Sequence, residues 1–154
     1  MECPQPHSLL AAVDESENSR RAVEYLSRWV ACMEEVGVTL LHVIKEPSRD
    51  VLPDQDERDR YVGQKEQAAE SLLARLRKEL ESRGVPGEEV VTRVLSCSPP
   101  DTVVDTILHE ATTGGYDTIV LGRRGMSKKE EYIFGSVTSR IVREVHEASV
   151  WVVA

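Results

Sequence analysis

The segment DTIVLGRRGMSKKEEYIFGSVT occupies residues 117–138 and reads as a strand, a loop and the start of a helix. Residues 117–121 form a short strand-like segment that ends in the apolar run Ile119-Val120-Leu121, of the kind found in buried strands. Glycines at positions 122 and 125 open the loop, and Gly135-Ser136 has the composition of a helix start. A strand that leads through a loop into a helix is the unit of parallel sheets, so this segment predicts an α/β fold.

The same alternation of strands and helices extends through the rest of the chain. Apolar runs predict further strands at residues 8–13, 38–44, 89–95 and 150–153. Helical spacing and capping residues predict helices from the 14–18 cluster to about residue 35, over about 58–83, from 98–99 to 114–115, and over about 135–146. The strands are apolar throughout, which is typical of a parallel sheet covered by helices on both faces. We therefore predict one α/β domain over residues 1–154.

Some boundaries of these elements rest on local signals alone. Gly37 is expected to end the first helix, whose apolar face is expected to include Trp29 and Met33. Ser98-Pro99 is expected to begin the third helix, as a capping hydroxyl followed by a proline in the first turn. Residues 45–60 hold two prolines and many charges, and are expected to form a surface loop that leads into the second helix.

The composition argues against two classes of partner. The chain has 154 residues, with 19 Lys or Arg against 27 Asp or Glu, a net charge of −8 and only 5% aromatic residues. Nucleic-acid binders usually carry a basic surface and a platform for base stacking, so no nucleic-acid partner is expected. No segment approaches the roughly 18 consecutive apolar residues of a membrane span, and none resembles a signal peptide, so no membrane association is expected.

The cysteines and histidines show no pattern of a metal or redox site. The three cysteines, Cys3, Cys32 and Cys97, include no C-x-x-C pair, and a reducing cytoplasm is the simplest location for such a chain. The four histidines lack ligand spacing, so no metal site built from protein side chains is expected. His42 lies inside a predicted strand and is expected to be buried with its hydrogen bonds satisfied.

A ligand site is expected beyond the carboxyl ends of the strands, as in other open parallel sheets. Asp14 directly follows the first strand, and its carboxylate only accepts hydrogen bonds, which suits the two hydroxyls of a ribose. Gly135 leaves the N–H groups of the following helix turn unobstructed, and such groups bind anions. Ser136 and Thr138 are expected to add hydroxyl donors there.

The glycines are informative as a set. Each glycine alone is explained by a turn, and Ser136 alone by helix capping. Together they form the pattern G-x2-G-x9-G-[ST], which at a glycine usage of about 7% arises by chance roughly once in 150 chains of this length. The Walker pattern G-x4-G-K-[ST] and the dinucleotide pattern G-x-G-x-x-G are both absent.

This pattern is similar to the glycine signature of the ATP-binding branch of the universal stress protein family. The resemblance covers nearly the whole chain and includes Asp14 at the end of the first strand and the Leu-Leu-His-Val run at residues 40–43. It implies a five-stranded parallel sheet of order 3-2-1-4-5 with an adenine nucleotide alpha hydrolase-like fold. It also implies ATP as the ligand, Mg²⁺ carried by the phosphates, and a homodimer that pairs through the last strand, Val150 to Val153.

The resemblance implies a role for each site residue. Asp14 holds the ribose, and Gly122 contributes backbone contacts. The residues implied to line the adenine are Ala12, Val43 and Leu121. The residues implied to surround the phosphates are Gly125, Gly135, Ser136, Val137 and Thr138. The spacing places Arg124 beside Gly125 and therefore at the phosphates.

The chain departs from the family pattern at two places. Arg123-Arg124 replaces the small-residue-plus-His pair often seen between the first two glycines, which puts the phosphate contacts in question. Ser149 stands where many members have proline, which bears on how the last strand is presented.

Hydrolysis of ATP is not indicated by the sequence. A hydrolase needs a group that positions or activates water, and Glu130 and Glu131 are candidates only by their nearness in sequence to the loop. We therefore expect an ATP-binding regulatory module in a stress response. The alternatives are a slow ATPase or nucleotidyl-transfer enzyme, and a stress-related interaction protein that binds no nucleotide.

Overall fold

The computed structural model describes residues 7–124 and 134–154. The strands are β1 (His7–Ala12), β2 (Val36–Lys45), β3 (Val90–Cys97), β4 (Thr118–Gly122) and β5 (Ser149–Val153). The helices are α1 (Glu17–Val30), α2 (Gln55–Ser82), α3 (Val103–Thr113) and α4 (Ser136–Glu144). A single 3-10 turn, Gly87–Glu89, precedes β3.

The five strands form one sheet of order β3-β2-β1-β4-β5, and every pair is parallel. The strand order reverses at β1, which pairs with β2 on one side and with β4 on the other. The sheet order and the alternation of strands and helices confirm the predicted fold class. Ligand sites of open parallel sheets lie at such a reversal, beyond the carboxyl ends of the strands.

Both faces of the central strands β1, β2 and β4 are buried, as predicted, but the edge strand β3 carries polar residues and is exposed at residues 91–93 and 96. Side chains alternate between the two faces along β1, so that Leu9 and Ala11 pack in one cluster with α1 and α2. Leu10 packs in the opposite cluster with α3 and α4. The apolar residues with no measurable exposure come from both clusters: Leu10, Ala11, Val23, Leu26, Leu40, Leu41, Leu80, Ile119 and Ile141.

The end of α1 was predicted wrongly. The helix ends at Val30, and Gly37 lies inside β2, where it pairs with Ser8. Trp29 is 51% exposed, so it does not belong to the buried stripe. The chain reverses through residues 31–35 and begins β2 at Val36, which is only 2% exposed. Burial of Val36 in the sheet therefore outweighs one more turn of helix.

The start of α3 was also predicted wrongly. The helix begins at Val103 rather than at Ser98-Pro99, and Thr102 is its N-cap. Thr102 and Asp105 form a capping box, in which Thr102 N–H donates to Asp105 Oδ2 over 2.9 Å. A residue that precedes proline is disfavoured in helical conformation, so Pro100 keeps Pro99 out of the helix. The second helix begins slightly earlier than expected, because Asp54 caps it at Gln55.

Gly122 ends β4 where α1 crosses close above it. A Cβ at this position would lie 2.7 Å from the carbonyl carbon of Asn18 and 2.8 Å from its oxygen. We expect Gly122→Ala to lower the free energy of unfolding by about 1–3 kcal/mol, since backbone atoms cannot move aside cheaply. Urea unfolding followed by circular dichroism measures this loss.

The matched control for this substitution is Gly63→Ala within α2. A Cβ there meets nothing within 4 Å, and alanine favours a helix over glycine by about 1 kcal/mol. This variant is expected to unfold at the wild-type urea concentration or above it. A Gly122→Ala protein as stable as the wild type would show that α1 can move away from β4.

Candidate functional site

A cavity of about 260 Å³ lies at the carboxyl ends of the central strands. Its walls come from β1, β2 and β4, from α3, and from the first turn of α4. Ten of the residues predicted from the sequence line it together: Ala12, Asp14, Val43, Leu121, Gly122, Arg124, Gly135, Ser136, Val137 and Thr138. Gly125, the remaining predicted residue, lies outside the described part of the chain, as do Glu130 and Glu131.

Six further lining residues were not predicted: Val13, Ser19, Leu41, His42, Val103 and Ile107. Leu41 could have been found, because it is two positions from Val43 and therefore on the same face of β2. Val103 and Ile107 are spaced four residues apart on α3, whose apolar face the sequence did indicate. Ser19 and His42 carried no signal of a site role in the sequence.

One side of the cavity is apolar. Leu41, Ile107 and Leu121 are each at most 3% exposed, and they belong to the core cluster that α3 and α4 cover. Ala12 and Val43 are partly buried against the same cluster. This wall can accept a flat apolar group but offers no side-chain hydrogen bond of its own.

Asp14 stands at the polar end of this wall, held by α1. Its Oδ1 accepts hydrogen bonds from Ser16 N–H over 2.9 Å and from Ser19 Oγ over 2.8 Å. Its backbone N–H donates to Ser19 Oγ over 2.9 Å. Ser19 is 4% exposed, so the side chain that orients Asp14 is itself fixed in the core. The carboxylate therefore has a defined position beside the cavity.

The N-terminus of α4 also lines the cavity. Gly135 is its N-cap in an extended conformation, with φ −65° and ψ 162°, and no side chain caps the helix. The N–H groups of the first turn have no acceptor within a helix, so those of Ser136, Val137 and Thr138 are donors for an anion. The helix dipole adds a partial positive charge at the same end.

Thr138 contributes differently from the prediction. Its hydroxyl donates to the carbonyl oxygen of Gly122 over 2.9 Å, and the residue is 3% exposed. That hydroxyl proton is therefore used to fasten α4 to the end of β4. The donor that Thr138 can offer to a ligand is its backbone N–H.

The two arginines after β4 have separate roles. Arg123 N–H donates to Val153 O over 2.7 Å, and Arg123 O accepts from Gly135 N–H over 2.9 Å. Its backbone thus joins β4 to both β5 and the start of α4. Arg124 is half-buried and lines the cavity, and its carbonyl oxygen accepts from Ser16 Oγ over 3.5 Å. Arg124 brings a positive charge to the same cavity as the α4 N-terminus.

An ion-pair cluster fixes α4 against α3. Arg140 donates to Thr102 Oγ1 and to Asp105 Oδ1, each over 2.7 Å, and also pairs with Glu144. The Thr102 hydroxyl and backbone N–H, followed by Arg140, hold the pKa of Asp105 below its usual value. The cluster therefore orients the helix whose first turn faces the cavity.

His42 of β2 and Cys97 of β3 are side chains of types that can bind metal ions. His42 is half-buried, and its Nδ1 lies 2.8 Å from Val13 O, which agrees with the expected satisfied histidine. Burial raises the pKa of the Cys97 thiol. In residues 7–124 and 134–154, no three His, Cys, Asp or Glu side chains are grouped so as to hold a metal ion. No helix in these ranges combines the length and apolar character needed to cross a membrane.

The comparison with protein families matches residues 6–154 to the model of the universal stress protein family. The chain belongs to the universal stress protein family. Among curated proteins, none matches it. The hypothetical protein MJ0577, whose biochemical function was assigned from its structure, is 25% identical with a TM-score of 0.79, over 97% of this chain and 96% of that one.

Two solved universal stress proteins share the fold. UspA from Lactobacillus plantarum is 18% identical with a TM-score of 0.83, over 99% of this chain and 100% of its own. The protein from Archaeoglobus fulgidus, solved in complex with dAMP, is 19% identical with a TM-score of 0.66, over 96% of this chain and 98% of its own.

Proposed function

We propose that this universal stress protein binds ATP in the cavity between β1, β2, β4 and α4. The observation that carries the proposal is that one cavity is lined by an anchored carboxylate, Asp14, by an uncapped helix N-terminus at Gly135, and by an apolar wall. A ribose, a triphosphate and a base need these three surfaces in one cavity. The dAMP complex of the relative from Archaeoglobus fulgidus supports an adenine nucleotide as the class of ligand.

Each part of the nucleotide has a matching surface. The adenine packs on Ala12, Val43 and Leu121, and the ribose hydroxyls donate to Asp14. The phosphates receive hydrogen bonds from the first-turn N–H groups of α4 and from Ser136 Oγ, and charge from Arg124. Mg²⁺ binds chiefly to the phosphate oxygens and water, as is usual for this ion with nucleotides.

The role that fits this site is that of a nucleotide-binding regulatory module. Among the residues described, Asp14 is the sole acidic side chain on the cavity wall, and it is assigned to the ribose. Hydrolysis of a phosphoanhydride requires a group that orients the attacking water. We therefore expect the protein to bind ATP and to hydrolyse little of it, because the described cavity wall offers no acidic side chain apart from Asp14. A slow ATPase would need such a group from residues 125–133.

The first test asks whether the protein carries and binds the nucleotide. Purified protein is denatured, released nucleotide is identified by mass spectrometry, and ATP binding is measured by calorimetry with Mg²⁺. Recovery of an adenine nucleotide, or saturable ATP binding, supports the proposal. Absence of both would favour an interaction protein without nucleotide. Steady ADP production that a cavity substitution abolishes would favour the enzyme.

Gly135→Val is the substitution that tests the phosphate end. The backbone at Gly135 is extended and suits valine, so the fold is expected to remain intact. The added side chain projects near the first-turn N–H groups, and we expect ATP affinity to fall at least about tenfold. Ser139→Val on the exposed side of the same helix is the control and should bind ATP like the wild type. Unchanged affinity in Gly135→Val would mean that α4 does not hold the phosphates.

We also propose a homodimer that pairs through β5, over Val150 to Val153. β5 is the last strand of the sheet, and its outer edge has no partner among the described strands. Ser149 N–H donates to Asp117 O over 2.9 Å, a bond that the proline found in many family members cannot make. An open edge strand invites pairing with a second chain.

A further inference from the structure

We propose that His42 is a positioning residue for Asp14 and so controls recognition of the ribose. The inference rests on the proposed nucleotide site. His42 Nδ1 lies 2.8 Å from the carbonyl oxygen of Val13. Because a carbonyl oxygen only accepts, Nδ1 carries the proton in this contact and the ring donates it. His42, a side chain of β2, therefore holds the backbone at Val13, directly after the end of β1.

Val13 O and Asp14 N–H belong to the same peptide group, and both ends of that group are bonded. The oxygen accepts from His42 on β2, and the N–H donates to Ser19 Oγ on α1 over 2.9 Å. The peptide plane is therefore clamped between the sheet and the helix. Val13 N–H also donates to Leu41 O over 2.9 Å, which fixes the preceding peptide group to β2 as well.

The clamp determines where the Asp14 carboxylate lies. A planar peptide rotates as one unit, so its orientation sets ψ of Val13 and φ of Asp14, and with them the direction of the Asp14 side chain. Ser16 N–H and Ser19 Oγ hold Oδ1 from the α1 side. His42 holds the same residue's backbone from the β2 side. Loss of the His42 donor frees one side of the peptide group and lets the carboxylate shift from the ribose position.

The test compares two variants of nearly equal shape. In His42→Asn the side-chain N–H₂ can take the place of Nδ1, whereas His42→Leu fills similar space without a donor. ATP and 2′,3′-dideoxy-ATP are titrated calorimetrically into each protein. The wild type is expected to prefer ATP because Asp14 accepts from the ribose hydroxyls. We expect His42→Asn to keep that preference, and His42→Leu to reduce it by about 3–10-fold, as for loss of one hydrogen bond.

The dideoxy nucleotide separates positioning from general damage. His42→Leu is expected to weaken binding of dideoxy-ATP about 3–10-fold less than it weakens binding of ATP, because dideoxy-ATP has no ribose hydroxyls for Asp14 to accept from. Equal losses for both nucleotides would show a merely structural role and overturn the inference. A His42→Leu protein that prefers ATP over dideoxy-ATP as strongly as the wild type does would also overturn the inference. Should His42→Leu fail to fold, His42→Phe keeps a planar ring without a donor and is expected to lower the preference in the same way.

The wild-type titration separates this inference from the proposed function. A wild type that binds neither nucleotide overturns both. A wild type that binds ATP and dideoxy-ATP equally keeps the nucleotide site but overturns the contact between Asp14 and the ribose, and with it the role of His42.

Discussion

Replacing Asp14 with alanine is expected to weaken ATP binding by about 10–100-fold. A hydrogen bond to a charged group contributes about 1.5–3 kcal/mol, and 1.4 kcal/mol corresponds to a factor of ten in affinity. Alanine also releases Ser16 N–H and Ser19 Oγ from Oδ1, so the start of α1 loses two of its contacts. Calorimetric titration with ATP and Mg²⁺ at fixed salt measures the loss.

Two further variants separate the ribose contact from its surroundings. Asp14→Asn keeps an oxygen for Ser16 N–H and Ser19 Oγ but removes the negative charge, and an intermediate loss of affinity is expected. Glu15→Ala removes the charge of the exposed neighbouring acid and should leave affinity within about twofold, since exposed charges are screened. If Asp14→Ala bound ATP as tightly as the wild type, the ribose would have to lie elsewhere.

The charge of the cavity differs from that of the whole chain. The net charge of −8 excluded nucleic acid as an expected partner, but it does not describe the ligand site. Arg124 lines the cavity together with the positive end of α4, and the one acid described there is Asp14. The position of the charges, rather than their sum, makes the cavity suitable for a triphosphate.

The sequence predicted the sheet and the place of the site because both follow from local patterns. Apolar runs such as 119–121 must be buried on both faces, and this requires a parallel sheet between two layers of helices. The carboxyl ends of parallel strands meet at one edge of the sheet. Asp14 after β1 and Gly122 after β4 therefore had to lie near each other, as they do.

The sequence could not predict how the site residues are held. The bond from Thr138 to Gly122 and the clamp of His42 and Ser19 on one peptide group depend on orientations that form only when distant segments pack. Helix periodicity alone also misplaced Trp29, which has the spacing of a core residue but lies half in solvent. Trp29 lies there because of a tertiary contact that helix periodicity does not reveal. It packs against Trp151 of β5 at the sheet edge, with ring centroids 6.4 Å apart.

This edge carries an exposed aromatic surface formed by Tyr25, Trp29 and Trp151. Tyr25 lies 6.2 Å from Trp29 and 6.5 Å from Trp151 between ring centroids, and Tyr25 and Trp29 are 39% and 51% exposed. Contiguous apolar surface of this kind marks interaction sites in soluble proteins. Because it adjoins the open edge of β5, a second chain that pairs with β5 would also cover these rings.

Val152→Pro is expected to convert the proposed dimer to a monomer. Ser149 N–H and Val153 O both bond to the β4 side, and backbone groups alternate between the two edges of a strand, so the N–H of Val152 points away from β4. Proline at an edge position whose N–H faces outward removes one bond to a second chain and leaves the sheet intact. The proline ring also obstructs close approach of a paired strand. We therefore expect the dissociation constant of the dimer to rise at least about 100-fold.

Sedimentation velocity over a range of protein concentrations measures this change, with ATP titration as a check that the fold persists. Val152→Thr, which is β-branched and keeps the N–H, is the control and is expected to sediment as the wild type does. A Val152→Pro protein that remains dimeric would place the interface away from the β5 edge. A wild type that is monomeric at every concentration would mean that the edge and its aromatic surface stay open or bind a different protein.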